Sequence, residues 1–155
     1  MFFYLFWAAV FGVAVLCSWH ISVADFRRRI IPDAYLCPLF LTGLVTLVFF
    51  PYWFVGISAG VIGAVLGYAL GAGVGIAFEK CNKDKKAPAP IGMGDIKLLA
   101  TGGLWLGTNG LACALVLACL FGGIWGWRKK QRFIPFAPFF ISGAILTLIA
   151  MAFLV

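Results

Sequence analysis

Long apolar runs, each about the length needed to cross a bilayer and separated by short polar connections, limit what this chain can become. The first run extends from Phe2 to Ile21. Others extend from Asp33 to Phe50 and from Phe54 to Phe78. A shorter one, Asp95 to Gly107, is followed by Leu111 to Trp127, and the segment Phe133-Ile134-Pro135-Phe136-Ala137-Pro138 leads into a last run that reaches Val155. The runs are continuous rather than alternating, which predicts helices and not a membrane barrel. Hydrophobic residues make up 64% of the 155 positions and charged ones 11%. A soluble fold of this size cannot hide that much apolar surface. The expected architecture is all-α: one membrane-embedded domain, residues 1–155, with six transmembrane helices.

The connections set the orientation. The twelve Lys and Arg fall three in the first connection, five in the third (with Lys97) and four in the fifth. The second and fourth connections hold none. Basic residues stay on the cytoplasmic side, so the odd connections face the cytoplasm and both termini are expected to be periplasmic. The net charge of +7 is then a topology signal. It implies attraction to anionic membrane lipid and requires no nucleic-acid partner.

Smaller features fit this frame. Trp7 and Trp19 lie near the ends of the first run, where interfacial aromatics are common. Gly63, Gly67, Gly71 and Gly75 recur every fourth residue in the third run. That spacing predicts a face on which backbones pack closely. The five cysteines form no C-x-x-C pair. Four sit in apolar runs as small hydrophobes, and Cys81 falls in the polar loop from Glu79 to Pro90. The apolar start reads as a permanent helix and not as a signal peptide.

Chemistry has few candidates. The acids are Asp25, Asp33, Glu79, Asp84 and Asp95. Glu79 and Asp84 sit among lysines. Asp33 opens the second helix, where the helix dipole favours an acid. Asp25 ends the first helix and Asp95 starts the fourth, on the same predicted side. Asp95 has a structural reading, as an N-terminal capping acid, and a functional one. Two carboxyl groups brought close share a proton. The ionised member can take a proton from water while the protonated member donates to a substrate carbonyl, as in aspartic proteases. His20, the only histidine, is off the Asp25 face of a continuous helix and reads as a packing residue. No metal-ligand cluster or cofactor motif is visible, so neither a metal nor a cofactor is expected.

Three motifs together carry a family resemblance. Gly92-Met93-Gly94-Asp95-Ile96-Lys97-Leu98 resembles the second catalytic motif of type IV prepilin peptidases, membrane aspartic proteases of the G-x-G-D class. Asp25 followed by basic residues and Ile31-Pro32-Asp33 resembles the first. Ile134-Pro135-Phe136-Ala137-Pro138-Phe139 resembles the proline-bearing start of the sixth helix. The resemblance implies an aspartic endopeptidase of the bacterial inner membrane, with Asp25 and Asp95 as the catalytic pair facing the cytoplasm. It implies prepilin or pseudopilin substrates, of type IV pilus or type II secretion systems, cut after a Gly just before an apolar helix. Gly92, Gly94, Lys97, Pro135 and Pro138 are then supporting residues. The two prolines imply an irregular lead-in to the last helix, with backbone groups free to pair with an extended substrate segment. Gly94 implies a turn with positive φ or close approach of substrate backbone. Many family members carry an N-terminal segment with paired C-x-x-C cysteines and also methylate the product. This sequence has no such pairs, so it resembles the short, protease-only form, and cleavage without N-methylation is expected. Two readings from other classes compete: a small transporter or channel, and a structural subunit of a pilus or secretion complex. Against the former, no acid sits mid-span. The latter would need neither acid.

Overall fold

The structure is a computed structural model that describes residues 2–50, 55–81, 91–130 and 134–154. The described residues form five helices: α1 (Phe2–Arg28), α2 (Asp33–Phe49), α3 (Ile57–Cys81), α4 (Met93–Lys129) and α5 (Phe136–Leu154). No strand occurs among the described residues. Four of the helices, all but α2, are long and apolar enough to cross a membrane. At 17 residues, α2 is shorter but equally apolar, about 26 Å long. The expected turn at Pro51-Tyr52-Trp53 lies outside the described residues, as do residues 82–90 and 131–133.

The first correction concerns α1. It does not stop at Ile21 but continues nearly two turns, to Arg28, and ends on Arg29 with φ 53°. Nothing in Asp25-Phe26-Arg27-Arg28 breaks a helix, and the basic residues suit its C-terminal end. Asp25 therefore lies inside the helix. It falls on the buried stripe of Ala14, Cys17 and Ile21, the face that packs into the bundle. Similarly, α3 continues past Phe78, so Cys81 is a helical residue rather than a loop one. Trp7 is buried instead of interfacial, packed edge-on against Phe50 with ring centroids 4.2 Å apart.

The second concerns α4, whose 37 residues are one continuous run interrupted at Gly107. Gly107 has φ 66° and ψ −172°, a conformation outside the helical region that glycine adopts at no steric cost. On an unbroken helix Gly102 and Gly122 would stand about 30 Å apart. Instead they contact adjacent residues of α5: Gly102 faces the Phe140 ring and Gly122 faces Phe139. The chain doubles back at Gly107. The segment before it packs on α3, and the segment after it runs along α5, with Ala114 and Leu117 against Gly143 and Gly110 near Thr147. The break falls at Gly107, the last residue of the run from Asp95, and not in the three residues between it and the run from Leu111, because Gly107 is the residue that takes positive φ.

Packing of α3 on the first segment of α4 uses glycine on both sides. A side chain at Gly63 would meet the Gly103 carbonyl, one at Gly103 would meet the Gly63 carbonyl, and one at Gly67 would meet the Leu99 carbonyl. Gly71 lies against Ile96. The fourth member of the expected row, Gly75, faces open space. The row thus works over three positions. Below it, Leu98, Leu106, Ile21 and Phe140 are fully buried and form the centre of the core.

Gly67→Leu should destabilise the bundle by about 1–3 kcal/mol, since a backbone carbonyl cannot step aside. Gly75→Leu should be nearly neutral. Thermal unfolding of the two variants in detergent checks the contrast.

Candidate active site

Asp25 is 5% exposed. Its position is set by the α1 stripe, and its Oδ2 accepts a hydrogen bond of 2.8 Å from the backbone N–H of Ala137. The donor is available for a simple reason. Ala137 lies in the first turn of α5, where N–H groups have no partner inside the helix. Pro135 and Pro138 flank it. Proline has no N–H to lose in that first turn and its fixed φ favours helix initiation. From Phe136 the chain is regular helix, in place of the irregular entry expected as far as Pro138, while Ile134 and Pro135 before it are non-helical. The free backbone donor at Ala137 is committed to Asp25. An amide at the positive end of a helix donating to a buried carboxylate is a charge-assisted bond, stronger than a neutral one.

Asp95 is the third residue of α4, and its Oδ2 accepts from the Gly92 N–H at 3.3 Å. The capping reading of Asp95 is therefore correct as geometry. It does not exhaust the residue, because Asp95 also lies within electrostatic reach of Asp25. Gly92 itself is extended, with φ −71° and ψ 151°, and a Cβ there would make an ordinary 3.4 Å contact with the Asp95 carboxylate.

Of the two expectations for Gly94, positive φ and close approach of other chain, the structure departs from the first and shows an approach within the protein itself. Gly94 does not take positive φ. A Cβ on it would sit 2.8 Å from Cβ of Ile31, inside contact distance. The missing side chain lets the start of α4 close onto the Ile31-Pro32 segment. A second tie joins the same two segments. Lys97 Nζ lies 2.8 and 2.7 Å from the two oxygens of Asp33, across 64 residues of sequence. Asp33 is the first residue of α2, directly after the extended Pro32, so it has the expected N-terminal position and a partner that was not anticipated. His20 stacks on Tyr35, ring centroids 4.9 Å apart and 12° from parallel, in keeping with a packing role.

All three motifs thus meet at one end of the bundle. Asp25 holds the third motif through Ala137, Ile31 abuts the second at Gly94, and Asp33 pairs with Lys97. Of the expected site residues, Asp25, Asp95, Gly92, Gly94, Lys97, Pro135 and Pro138 all lie in or beside this junction. Sequence reasoning missed Ala137 and Ile31. The flanking prolines could have revealed Ala137, since they mark a helix start and hence a free amide. For Ile31 no signal precedes the three-dimensional structure.

A family profile described as the type IV leader peptidase family matches residues 10–127. The chain belongs to that family. It is 33% identical over 150 residues to a prepilin leader peptidase/N-methyltransferase of Burkholderia pseudomallei, covering 90% of this chain and 45% of that protein. To the protein of the same name in Escherichia coli it is 34% identical over 137 residues, 83% of this chain and 57% of the other. To that of Aeromonas hydrophila it is 31% identical over 146 residues, 87% and 48%. The chain spans about half the length of these curated relatives. No solved structure matches it significantly. The matched region contains the first two motifs and ends before Pro135.

Gly94→Val should lower the thermal midpoint through overlap with Ile31, a cost of about 1–3 kcal/mol. Adding Ile31→Ala should recover part of the loss, whereas Gly92→Ala should be nearly silent. Breaking the exposed Asp33–Lys97 pair with Asp33→Asn should cost no more than about 1 kcal/mol. Melting curves of the set separate close packing from charge.

Proposed function

We propose that this chain is an aspartic endopeptidase that removes the leader peptide of type IV prepilins or pseudopilins, with Asp25 and Asp95 as its catalytic pair. The observation that carries the reading is the convergence of the two acids with all three motif segments at one end of the bundle. Membership of the leader peptidase family and the printed names of the relatives support the choice of substrate.

In this reading the two carboxyl groups share one proton. The ionised member takes a proton from a water molecule, which attacks the scissile carbonyl carbon. The protonated member donates to the carbonyl oxygen, and the tetrahedral intermediate then collapses with a proton passing to the departing amine. A carboxylate offers about four acceptor positions. The bonds from Ala137 and Gly92 each occupy one and fix the orientation of their acid, leaving acceptor capacity for water and substrate.

The same proposal places the site at the cytoplasmic face of the inner membrane. The two segments of α4 count as separate crossings, giving six with α1, α2, α3 and α5 and placing both termini in the periplasm. The reversal at Gly107 and the distribution of Lys and Arg support that count. Fusion of a topology reporter after Lys86 should read cytoplasmic and after Val155 periplasmic; a cytoplasmic C-terminus would remove the six-crossing arrangement.

Cleavage of a purified prepilin tests the chemistry. Asp25→Asn and Asp95→Asn should each lower kcat by at least about 100-fold while the protein still inserts. The double variant should be little worse than either single one, because the two act as a unit. Asp33→Asn should retain most activity. Substantial cleavage by either Asp25→Asn or Asp95→Asn would remove the dyad.

A further inference from the structure

An apolar cleft of about 480 Å³ lies between α1, the first segment of α4 and α5. One end is lined by Ser22 and Pro138. Ser22 is one turn before Asp25 on α1, and Pro138 follows Ala137, whose N–H is bonded to the Asp25 carboxylate. That end of the cleft therefore lies within one helical turn of Asp25. Along α1 the cleft extends from Ser22 to Phe11, about 16 Å or three helical turns.

The far end is closed by a fixed wall. The rings of Phe11 and Trp105 have centroids 6.0 Å apart. The Trp105 indole is held in place, with Nε1 donating to the Leu39 carbonyl at 3.1 Å and the ring seated over Gly43, where any side chain would overlap it. On the outer side the rim residues Val15, Trp19 and Ile145 are exposed, so the cleft is accessible from the side of the bundle. Three of the four hydroxyl side chains that line it, all but Ser18, are already engaged. Ser22, Thr101 and Ser142 each donate to the carbonyl four residues earlier in their own helix. The walls suit an apolar occupant that brings no unpaired donors or acceptors, such as a preformed helix.

We propose that this cleft seats the apolar helix of the substrate on the carboxyl-terminal side of the scissile bond, with one face lying along α1 and α5 for about three turns and the Phe11–Trp105 wall limiting its depth. The proposal rests on the peptidase reading above. A lipid acyl chain would fit similar walls. The substrate helix is favoured because one end of the cleft lies within a turn of Asp25, so a chain cut there has its apolar continuation beside it. Recognition would follow the helix-in-groove pattern, with anchors at i, i+3, i+4 and i+7.

The test compares a full-length prepilin with a version truncated a few residues after the cut, using the intact enzyme in bilayer nanodiscs. Val15→Trp and Ala144→Phe, which fill the cleft, should lower the ratio of kcat/KM for full-length over truncated substrate at least tenfold, through KM rather than kcat. An unchanged ratio overturns the cleft proposal. Failure of the unaltered enzyme to cut either substrate overturns the peptidase reading instead. A photo-crosslinking phenylalanine analogue at Val15 or Ile145 provides a second measurement that does not depend on how the filled variants fold. It should join enzyme to prepilin, and the same analogue at Val65 on exposed α3 should not. Adducts with lipid alone at Val15 and Ile145 overturn the assignment.

Discussion

The hydrogen bond from the Ala137 amide to Asp25 is the interaction on which the arrangement of this end of the bundle depends. A buried carboxylate is costly without a partner. Here the hydrogen-bond partner is the first turn of a helix, whose amides lack partners of their own, and Arg29 adds an electrostatic attraction. One bond meets two needs, satisfying the acid on α1 and a free amide on α5. It also fixes the start of α5 against α1, across 112 residues of sequence. The amide orients the carboxyl group without adding a full charge of its own.

Asp95 is treated in the same way. Its partner is the Gly92 amide, at the start of its own helix. Each acid of the pair is thus held by a helix-terminal amide, and the bundle must then bring the two helix ends together. Glycine does much of that work. Gly63 and Gly103 let α3 and the first segment of α4 pack backbone to backbone, and Gly94 lets the same segment close on Ile31. A side chain at any of these places meets a carbonyl or a β-branched residue, neither of which can move cheaply.

How much of this was legible in the sequence follows from which contacts are local. The helical class, the apolar runs and the junction of two acids with basic neighbours were readable because they depend on composition and on spacing along one element. Asp95 as a cap was readable for the same reason, since its partner is three residues away. The end of α1 lies beyond its apolar run because nothing in the polar residues that follow interrupts the helix. A helix can leave a bundle's apolar zone and remain a helix. For Gly94 the sequence shows that a side chain is missing but not that Ile31 occupies its space. Ile31 and the Asp33–Lys97 pair required the fold itself.

The reversal at Gly107 gives the site a further property. The segment from Met93 to Leu106 is about 21 Å long, shorter than the roughly 30 Å of a hydrocarbon core. Its far end is bound by the turn at Gly107, and its near end carries Asp95. Asp25 is likewise set back one turn from the end of α1 at Arg28. Both acids therefore stand inside the limits of the helices around them, next to apolar residues but within a turn of charged ones. The hydrolysis proposed for this pair requires that combination. Water must arrive, yet two carboxyl groups share a proton only where their charge is poorly solvated. A longer segment before Gly107 would carry Asp95 out toward bulk water and away from the level of Asp25, so the length of this one helical segment matches the two acids in depth.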